Sequence, residues 1–158
     1  MRNILKLAAT TLMLACSLCA AAQQPERGYW RAASNTASSV TGDITLSETK
    51  LTIGFAKPYV IAAIRSLKPE EVSALFDADA SAAVLATVYR LDIPCTQRFE
   101  HKNTLCGSDD THYMVTYIRD KTLQVAFFSG DAVPVFNFDA RVEAETKVSP
   151  FASSITWA

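Results

Sequence analysis

The chain has 158 residues, of which 49% are hydrophobic and 20% charged, and its formal net charge is -1. This length suits one domain with a substantial core and is too short for two ordinary domains. The hydrophobic fraction argues against intrinsic disorder. The lack of a basic surplus argues against a general nucleic-acid binder.

The first 22 residues have the pattern of a secretory signal peptide. Arg2 and Lys6 form a positive start, residues 7–15 are almost wholly apolar, and three alanines end the segment at Ala22. The apolar run is shorter than the roughly 20 residues that span a membrane, so we expect cleavage after Ala22 and no stable membrane insertion. Cysteines 16 and 19 lie in a context that fits lipidation poorly.

Two cysteines, Cys95 and Cys106, remain in the predicted mature chain, whose 13 basic and 16 acidic residues give a formal net charge of -3. An isolated pair normally forms a disulfide in an oxidising compartment. The loop closed would have about 12 residues, which the chain-entropy model values at roughly 3 kcal/mol. The alternative is a catalytic thiol with His101 or His112 as its base, which such a compartment disfavours.

Residues 23–27 are predicted to be a flexible leader, and residues 28–158 a single β-rich domain. Residues 34–41, rich in small polar side chains, are interpreted as a loop or a strand. The next segment alternates apolar and polar residues, which predicts a hairpin with Ile44 opposite Ile53 and Leu46 opposite Leu51. The alternation extends the same apolar face to Phe55.

Further strands are predicted over residues 59–65 and 84–93, separated by a short helix. Pro69 suits the first turn of that helix, and the two acidic residues that follow suit the positive end of its dipole. Val72, Leu75 and Phe76 supply its apolar stripe. An edge strand is expected over residues 133–138, because Pro134 cannot donate to a ladder, and a last strand over Ile155–Trp157.

A second hairpin, Thr111–Arg119 with Thr122–Phe128, is predicted to turn at Asp120 and Lys121. Both of its faces are substantially apolar, so one fills the core and the other lies under a further segment or forms a contact surface. Cover by a further segment is favoured. Tyr113 and Tyr117 are the aromatic residues that we expect to be exposed, because their face also carries Arg119 and Gln124. The candidate binding surface on this face consists of Tyr113, Tyr117, Arg119, Gln124 and Phe128.

These segments predict a mainly β fold, an antiparallel β-barrel or sandwich of about 7–9 short strands with one short helix. Closure into a barrel is favoured, because a barrel leaves no exposed strand edges.

Two tracts resemble a group of short secreted proteobacterial proteins of unassigned function. One runs from Trp30 through Gly42-Asp43-Ile44, and the other combines residues 103–107 with residues 126–130. The resemblance implies a bacterial envelope protein and brings no activity with it. The resemblance implies that, in that group, the cysteine that corresponds to Cys106 pairs with a cysteine near the C-terminus. This chain has none there, so Cys95 is the only mature partner.

Two further resemblances are to small β-barrels. Gly28-Tyr29-Trp30 resembles the start of lipocalins, in which the Trp closes the barrel floor. Size, signal and a single disulfide resemble the periplasmic lysozyme inhibitors, and Ser129-Gly130-Asp131-Ala132 partly matches the loop motif of that family.

Catalytic and metal-binding motifs are sparse. His101, Asp110 and His112 are weak candidates for metal ligands, but no HExxH spacing is present, and a solvated loop explains them better. The sequence contains no G-x-S-x-G elbow and no phosphate loop. We therefore predict no metal, no cofactor and no catalytic residue.

The combined pattern predicts a secreted or periplasmic, non-enzymatic binding or interaction domain. Its partner would be an unknown protein or a small apolar ligand. The alternatives are a periplasmic inhibitor of a cell-wall hydrolase such as lysozyme, and a small-ligand carrier. A metal-dependent or serine hydrolase ranks last among them.

Overall fold

The computed structural model describes residues 26–79, 85–136 and 155–158. These residues form nine strands in two antiparallel sheets, which confirms the predicted mainly β fold. The predicted signal peptide and residues 23–25 of the leader lie outside the described residues. The strands are β1 (Gly28–Trp30), β2 (Ile44–Leu46), β3 (Lys50–Ile53), β4 (Tyr59–Val60), β5 (Ala62–Ser66), β6 (Leu85–Ile93), β7 (Thr111–Arg119), β8 (Thr122–Phe128) and β9 (Ile155–Trp157).

Two short α-helices accompany the strands. Helix α2 (Pro69–Phe76) is the predicted one, and Asp77 ends it in a left-handed conformation. Helix α1 (Asn35–Val40) forms where a loop or a strand was expected. The Ser34 hydroxyl accepts a hydrogen bond from the backbone N–H of Ala37 at 3.0 Å, so a serine N-cap starts this helix. A 3₁₀ turn spans Glu100–Lys102.

The first sheet has the order β1-β2-β3-β4. The pairing of Ile44 with Ile53 and of Leu46 with Leu51 confirms the predicted hairpin register. The prediction that Phe55 continues the apolar face is wrong. Gly54 has a positive φ of 52° and ends the strand, which leaves the Phe55 side chain fully exposed.

The predicted strand over residues 59–65 divides between the two sheets. Strand β4 pairs with β3, whereas β5 pairs with β6. Ile61 lies between them with its side chain buried, and its backbone N–H donates to the Thr49 carbonyl at 2.9 Å. The chain therefore passes from one sheet to the other at a single buried residue.

The second sheet has the order β5-β6-β7-β8-β9. The pairs Tyr113 with Phe128 and Arg119 with Thr122 confirm the register of the second hairpin. Ala32 forms an isolated bridge with Trp157 of β9, so this strand also contacts the segment that follows β1. The two ladders meet there and at residue 61 without merging into one closed sheet. Of the edge strand predicted over residues 133–138, residues 133–136 form no strand, and residues 137 and 138 lie outside the described residues.

Both faces of the central strands β7 and β8 of the second sheet are covered. The inner face packs against the first sheet around Trp157, Met114 and Leu123, all fully buried. The outer face packs against α2 through a second cluster that includes Val72 and Phe76. A sheet sandwiched in this way needs apolar residues at successive positions of its central strands, which explains the continuous hydrophobicity of β7.

Candidate functional site

The candidate surface predicted on the second hairpin is largely covered. Tyr113 and Tyr117 are each only 3% exposed, so the expectation that they are exposed is wrong. Phe76 of α2 stacks on Tyr117 with ring centroids 5.3 Å apart. Phe128 is half-buried against Phe136, and their ring centroids are 5.4 Å apart. Cover by a further segment, the favoured alternative, is therefore confirmed.

The two polar members of this surface lie in different environments. Gln124 is partly buried, and its side-chain oxygen has no hydrogen-bond partner in the described part of the chain. Arg119 is exposed beside the hairpin turn. The five predicted residues do not form one free surface.

The weak metal candidates are not brought together. His101 lies on the 3₁₀ turn, with Nδ1 3.4 Å from the Ser39 carbonyl oxygen. The Asp110 carboxylate accepts a hydrogen bond from the Cys95 backbone N–H at 2.7 Å, and His112 lies on β7. No three His, Cys, Asp or Glu side chains among the described residues are arranged to hold a metal ion.

Cys95 and Cys106 are both free thiols in this structure. A hydrogen bond to Asp110 and burial raise the pKa of the Cys95 thiol. Burial raises the pKa of the Cys106 thiol. A raised thiol pKa lowers the fraction of each side chain that is present as thiolate.

A polar network joins β6, β7 and the turn after β8. His112 Nδ1 lies 2.8 Å from Asp92 Oδ1, and Arg90 donates to the same oxygen at 3.0 Å. These contacts hold the pKa of the Asp92 carboxyl below its usual range. Arg90 also donates to the Tyr113 hydroxyl at 3.1 Å, and that hydroxyl donates to the Asp131 carbonyl at 2.8 Å.

This network borders an open cleft of about 490 Å³, lined by His112 together with Ser108, Ser129 and Asp131. An imidazole oriented by a carboxylate is one part of a hydrolytic triad. No serine or cysteine side chain within residues 26–79, 85–136 and 155–158 hydrogen-bonds to either histidine. Through the Tyr113 hydroxyl, the network links the turn after β8 to the sheet.

The most exposed aromatic side chain in the described part of the chain is one that the sequence prediction placed in the core. Phe55 lies at the tip of the turn after β3 and is fully exposed. It borders a cleft of about 290 Å³ whose other wall is the segment 97–100, part of the connection between the two cysteines. We call Phe55, Ala56, Lys57 and residues 97–100 the Phe55 surface. The sequence signal for it is an aromatic residue within Gly54-Phe55-Ala56-Lys57-Pro58, where glycine and proline indicate a turn rather than a strand.

The charges of the Phe55 surface are unevenly placed. Lys57 and Arg98 are exposed. The Glu100 carboxylate lies deeper, beside Gly42 and Gly54, where a Cβ on Gly42 would come within 3.3 Å of the Glu100 side chain. The rim is therefore cationic and the floor carries one acid.

A second unpredicted feature is a buried carboxylate. Glu26, in the predicted flexible leader, is only 3% exposed. It accepts hydrogen bonds from the hydroxyls of Tyr89 and Thr116, the latter at 2.8 Å. Trp30 Nε1 donates to its backbone carbonyl at 2.8 Å. The end of the leader is thus attached to the core.

No family model matches the chain, and no curated protein or solved structure matches it either. Within the described ranges, none of the helices is both long and apolar enough to cross a bilayer.

Proposed function

We propose that this protein is a secreted or periplasmic binding module without catalytic activity, and that it recognises a protein partner through the Phe55 surface. The observation that carries the proposal is the fully exposed Phe55 side chain beside a cleft. Aromatic side chains that become buried at the centre of an interface dominate binding energies. Exposure of a phenylalanine in the free protein has a cost that such an interface recovers.

The partner expected for this surface has an apolar pocket with an acidic rim. Phe55 would fill the pocket, and the exposed Lys57 and Arg98 would face the acidic groups. Complementary charges at a rim mainly raise the association rate and fix the orientation. Binding should therefore weaken as ionic strength rises.

Protein recognition is favoured over a small-ligand carrier by the packing of the interior. In the described part of the chain, sixteen buried residues form the cluster between the sheets, among them Trp157, Met114 and Phe127. A carrier needs an enclosed apolar cavity of several hundred Å³. The two clefts described above are open and lie at the surface.

Photo-crosslinking in the native envelope tests the proposal. A photoreactive amino acid replaces Phe55 in one variant and Leu85 in another, since Leu85 is also exposed but begins β6, far along that strand from Pro94 and the 97–100 segment. We expect one predominant protein to crosslink at position 55 and not at position 85. With that protein purified, Phe55→Ala should weaken binding about tenfold or more, and Leu85→Ala should leave it unchanged. Equal crosslinking at both positions would overturn the proposal.

A periplasmic inhibitor of a cell-wall hydrolase is a second candidate function. It is favoured by the exposed Arg98 in the loop segment 97–100, because an inhibitor presents loop residues to the active site that it blocks. The test is the initial rate at which lysozyme clears a cell-wall suspension with and without the protein. Inhibition that is lost in Phe55→Ala or Arg98→Ala would support this function, and an unchanged rate would exclude it for that enzyme.

A further inference from the structure

The carboxylate of Glu26 lies on the inner face of the second sheet, where two hydroxyl groups donate to it. Tyr89 projects from β6 and Thr116 from the adjacent β7, both on the inner face of the second sheet. Their neighbours on that face include Met114, Ile118 and Val125, all buried. Within the described residues no salt bridge reaches the Glu26 carboxylate.

A buried carboxylate without a cation is costly unless hydrogen bonds replace its water shell. Here each carboxylate oxygen accepts one hydroxyl hydrogen bond, from Tyr89 and from Thr116 respectively. Burial and the contact with Glu26 raise the pKa of the Tyr89 hydroxyl, which keeps it protonated as a donor. The two donors belong to paired strands, so they hold their positions independently of the leader.

We propose that the hydroxyls of Tyr89 and Thr116 form a binding site for small aliphatic monocarboxylates, which Glu26 fills in cis. The Glu26 side chain beyond its Cα atom has the composition of a propionate ion, so the chain acts as its own ligand. A site whose donors are fixed by a sheet pays little ordering cost when it binds. This inference goes beyond the proposed function and does not rest on it.

Chemical rescue tests the site. Glu26→Gly removes the equivalent of propionate, and Glu26→Ala removes the equivalent of acetate. We expect both variants to melt at a lower temperature than the wild-type protein. Sodium propionate should raise the melting temperature of Glu26→Gly saturably, by about 4 °C at ten times its Kd. Acetate should do the same for Glu26→Ala, in which the retained Cβ leaves too little room for propionate.

Three controls separate binding at this site from a general salt effect. Sodium chloride and the neutral propionamide should leave the variants unchanged at the same concentrations. The wild-type protein, whose site is filled, should not respond to either carboxylate. In Glu26→Gly with Tyr89→Phe and Thr116→Val, the response to propionate should be lost because both donors are gone.

If Glu26→Gly is unfolded, its refolding on addition of propionate is measured by circular dichroism instead of its melting temperature. Propionate should then restore the near-ultraviolet signal of the folded protein with the same saturation curve. Equal responses to propionate and propionamide, or no response of either variant up to about 100 mM carboxylate, would overturn the proposal. A response that survives loss of both hydroxyls would also overturn it.

Discussion

At the scale of single residues, the two tryptophans make the same kind of hydrogen bond in different surroundings. Trp157 is fully buried and donates from Nε1 to the Gly42 carbonyl at 3.0 Å. Trp30 is partly exposed and donates to the Glu26 carbonyl. Burial of the ring, rather than the hydrogen bond, should therefore decide how much each side chain contributes to stability.

Trp157→Phe is expected to lower the free energy of unfolding by about 2–3 kcal/mol. The change leaves a cavity in the core and removes the indole hydrogen bond to the Gly42 carbonyl, which keeps the Thr41 hydroxyl as a donor at 3.1 Å. Trp30→Phe is the matched control, and its loss should be smaller, about 1 kcal/mol, because water can reach the site. Urea denaturation followed by circular dichroism measures both. Equal losses would contradict this prediction.

A second residue-scale feature is the ion pair at the start of α2. Arg65 donates two hydrogen bonds of 2.7 Å to Glu71, and the Glu71 carboxylate also accepts from the Lys68 backbone N–H at 2.9 Å. Lysine has no acceptor on its side chain, so only this half of a capping box can form. The Arg65 guanidinium holds the pKa of the Glu71 carboxyl below its ordinary value of 4.5.

Glu71→Gln should cost about 1 kcal/mol at pH 7, a value that allows for the partial exposure of the pair. Because the pKa of Glu71 is lower in the folded than in the unfolded chain, this stability is present above the unfolded pKa and is lost as pH falls through the folded value. The variant and the wild-type protein should thus converge in strongly acidic solution. Denaturant titrations between pH 7 and pH 3 test this. The control is Glu70→Gln, at the exposed neighbouring position, which should show almost no effect.

At the scale of elements, α2 decides whether the outer face of the second sheet is free. The helix places Val72 and Phe76 on that face, and Phe76 stacks on Tyr117. Because a second sheet covers one side and a helix the other, the apolar residues of the central strands are buried within the domain. The proposed recognition surface therefore lies elsewhere, at the turn after β3 that carries Phe55.

Phe76→Ala is expected to destabilise the protein by about 3 kcal/mol, because it removes a buried ring from the contact with Tyr117. The same change should increase hydrogen exchange in β7 and β8, which lie beneath the helix. Leu75→Ala serves as the control, since Leu75 is only partly buried and its truncation should cost less. Protection in β7 that is unchanged by Phe76→Ala would show that α2 is not the cover.

At the scale of the whole molecule, the stability of the protein should depend on the compartment in which it is found, because only an oxidising compartment lets the two cysteines form a disulfide. Both are free thiols here, and both contact the end of the same connection: Cys95 contacts Asp110, and a hydrogen bond links Cys106 to Thr111. In an oxidising envelope we expect them to form the disulfide predicted from the sequence. That bond would close a loop beside the Phe55 surface.

Protein purified from the native envelope without reductant should begin at Gln23 and be two hydrogens lighter than its reduced mass. Reduction should lower the free energy of unfolding by up to about 3 kcal/mol. A Cys95→Ser and Cys106→Ser double variant should be insensitive to reductant. Intact-mass spectrometry and urea denaturation check these outcomes. Two thiols that react with iodoacetamide before any reduction would contradict the disulfide, and an uncleaved signal peptide would contradict secretion.

Local periodicity determined much of this fold. The alternation around Ile44 and Leu51, and the turn at Asp120 and Lys121, specified both hairpin registers, because side chains on a strand alternate strictly between faces. Pro69 and the acids after it located α2 for an equally local reason, since they suit the positive end of the helix dipole.

Only the tertiary structure decided which apolar side chains are free and which polar ones are buried. Tyr113 and Tyr117 share a strand face with the polar Arg119 and Gln124, a pattern typical of an exposed face. Long-range packing against α2 and the turn after β8 nevertheless covers both tyrosines. Phe55 continues an apolar alternation in the sequence. The positive φ of Gly54 ends the strand, however, and the Phe55 side chain lies in solvent. Glu26 belongs to a polar leader, yet it lies in the core because two distant strands supply its donors. Burial depends on contacts between residues far apart in the chain, whereas the hairpin registers depend on residues close together.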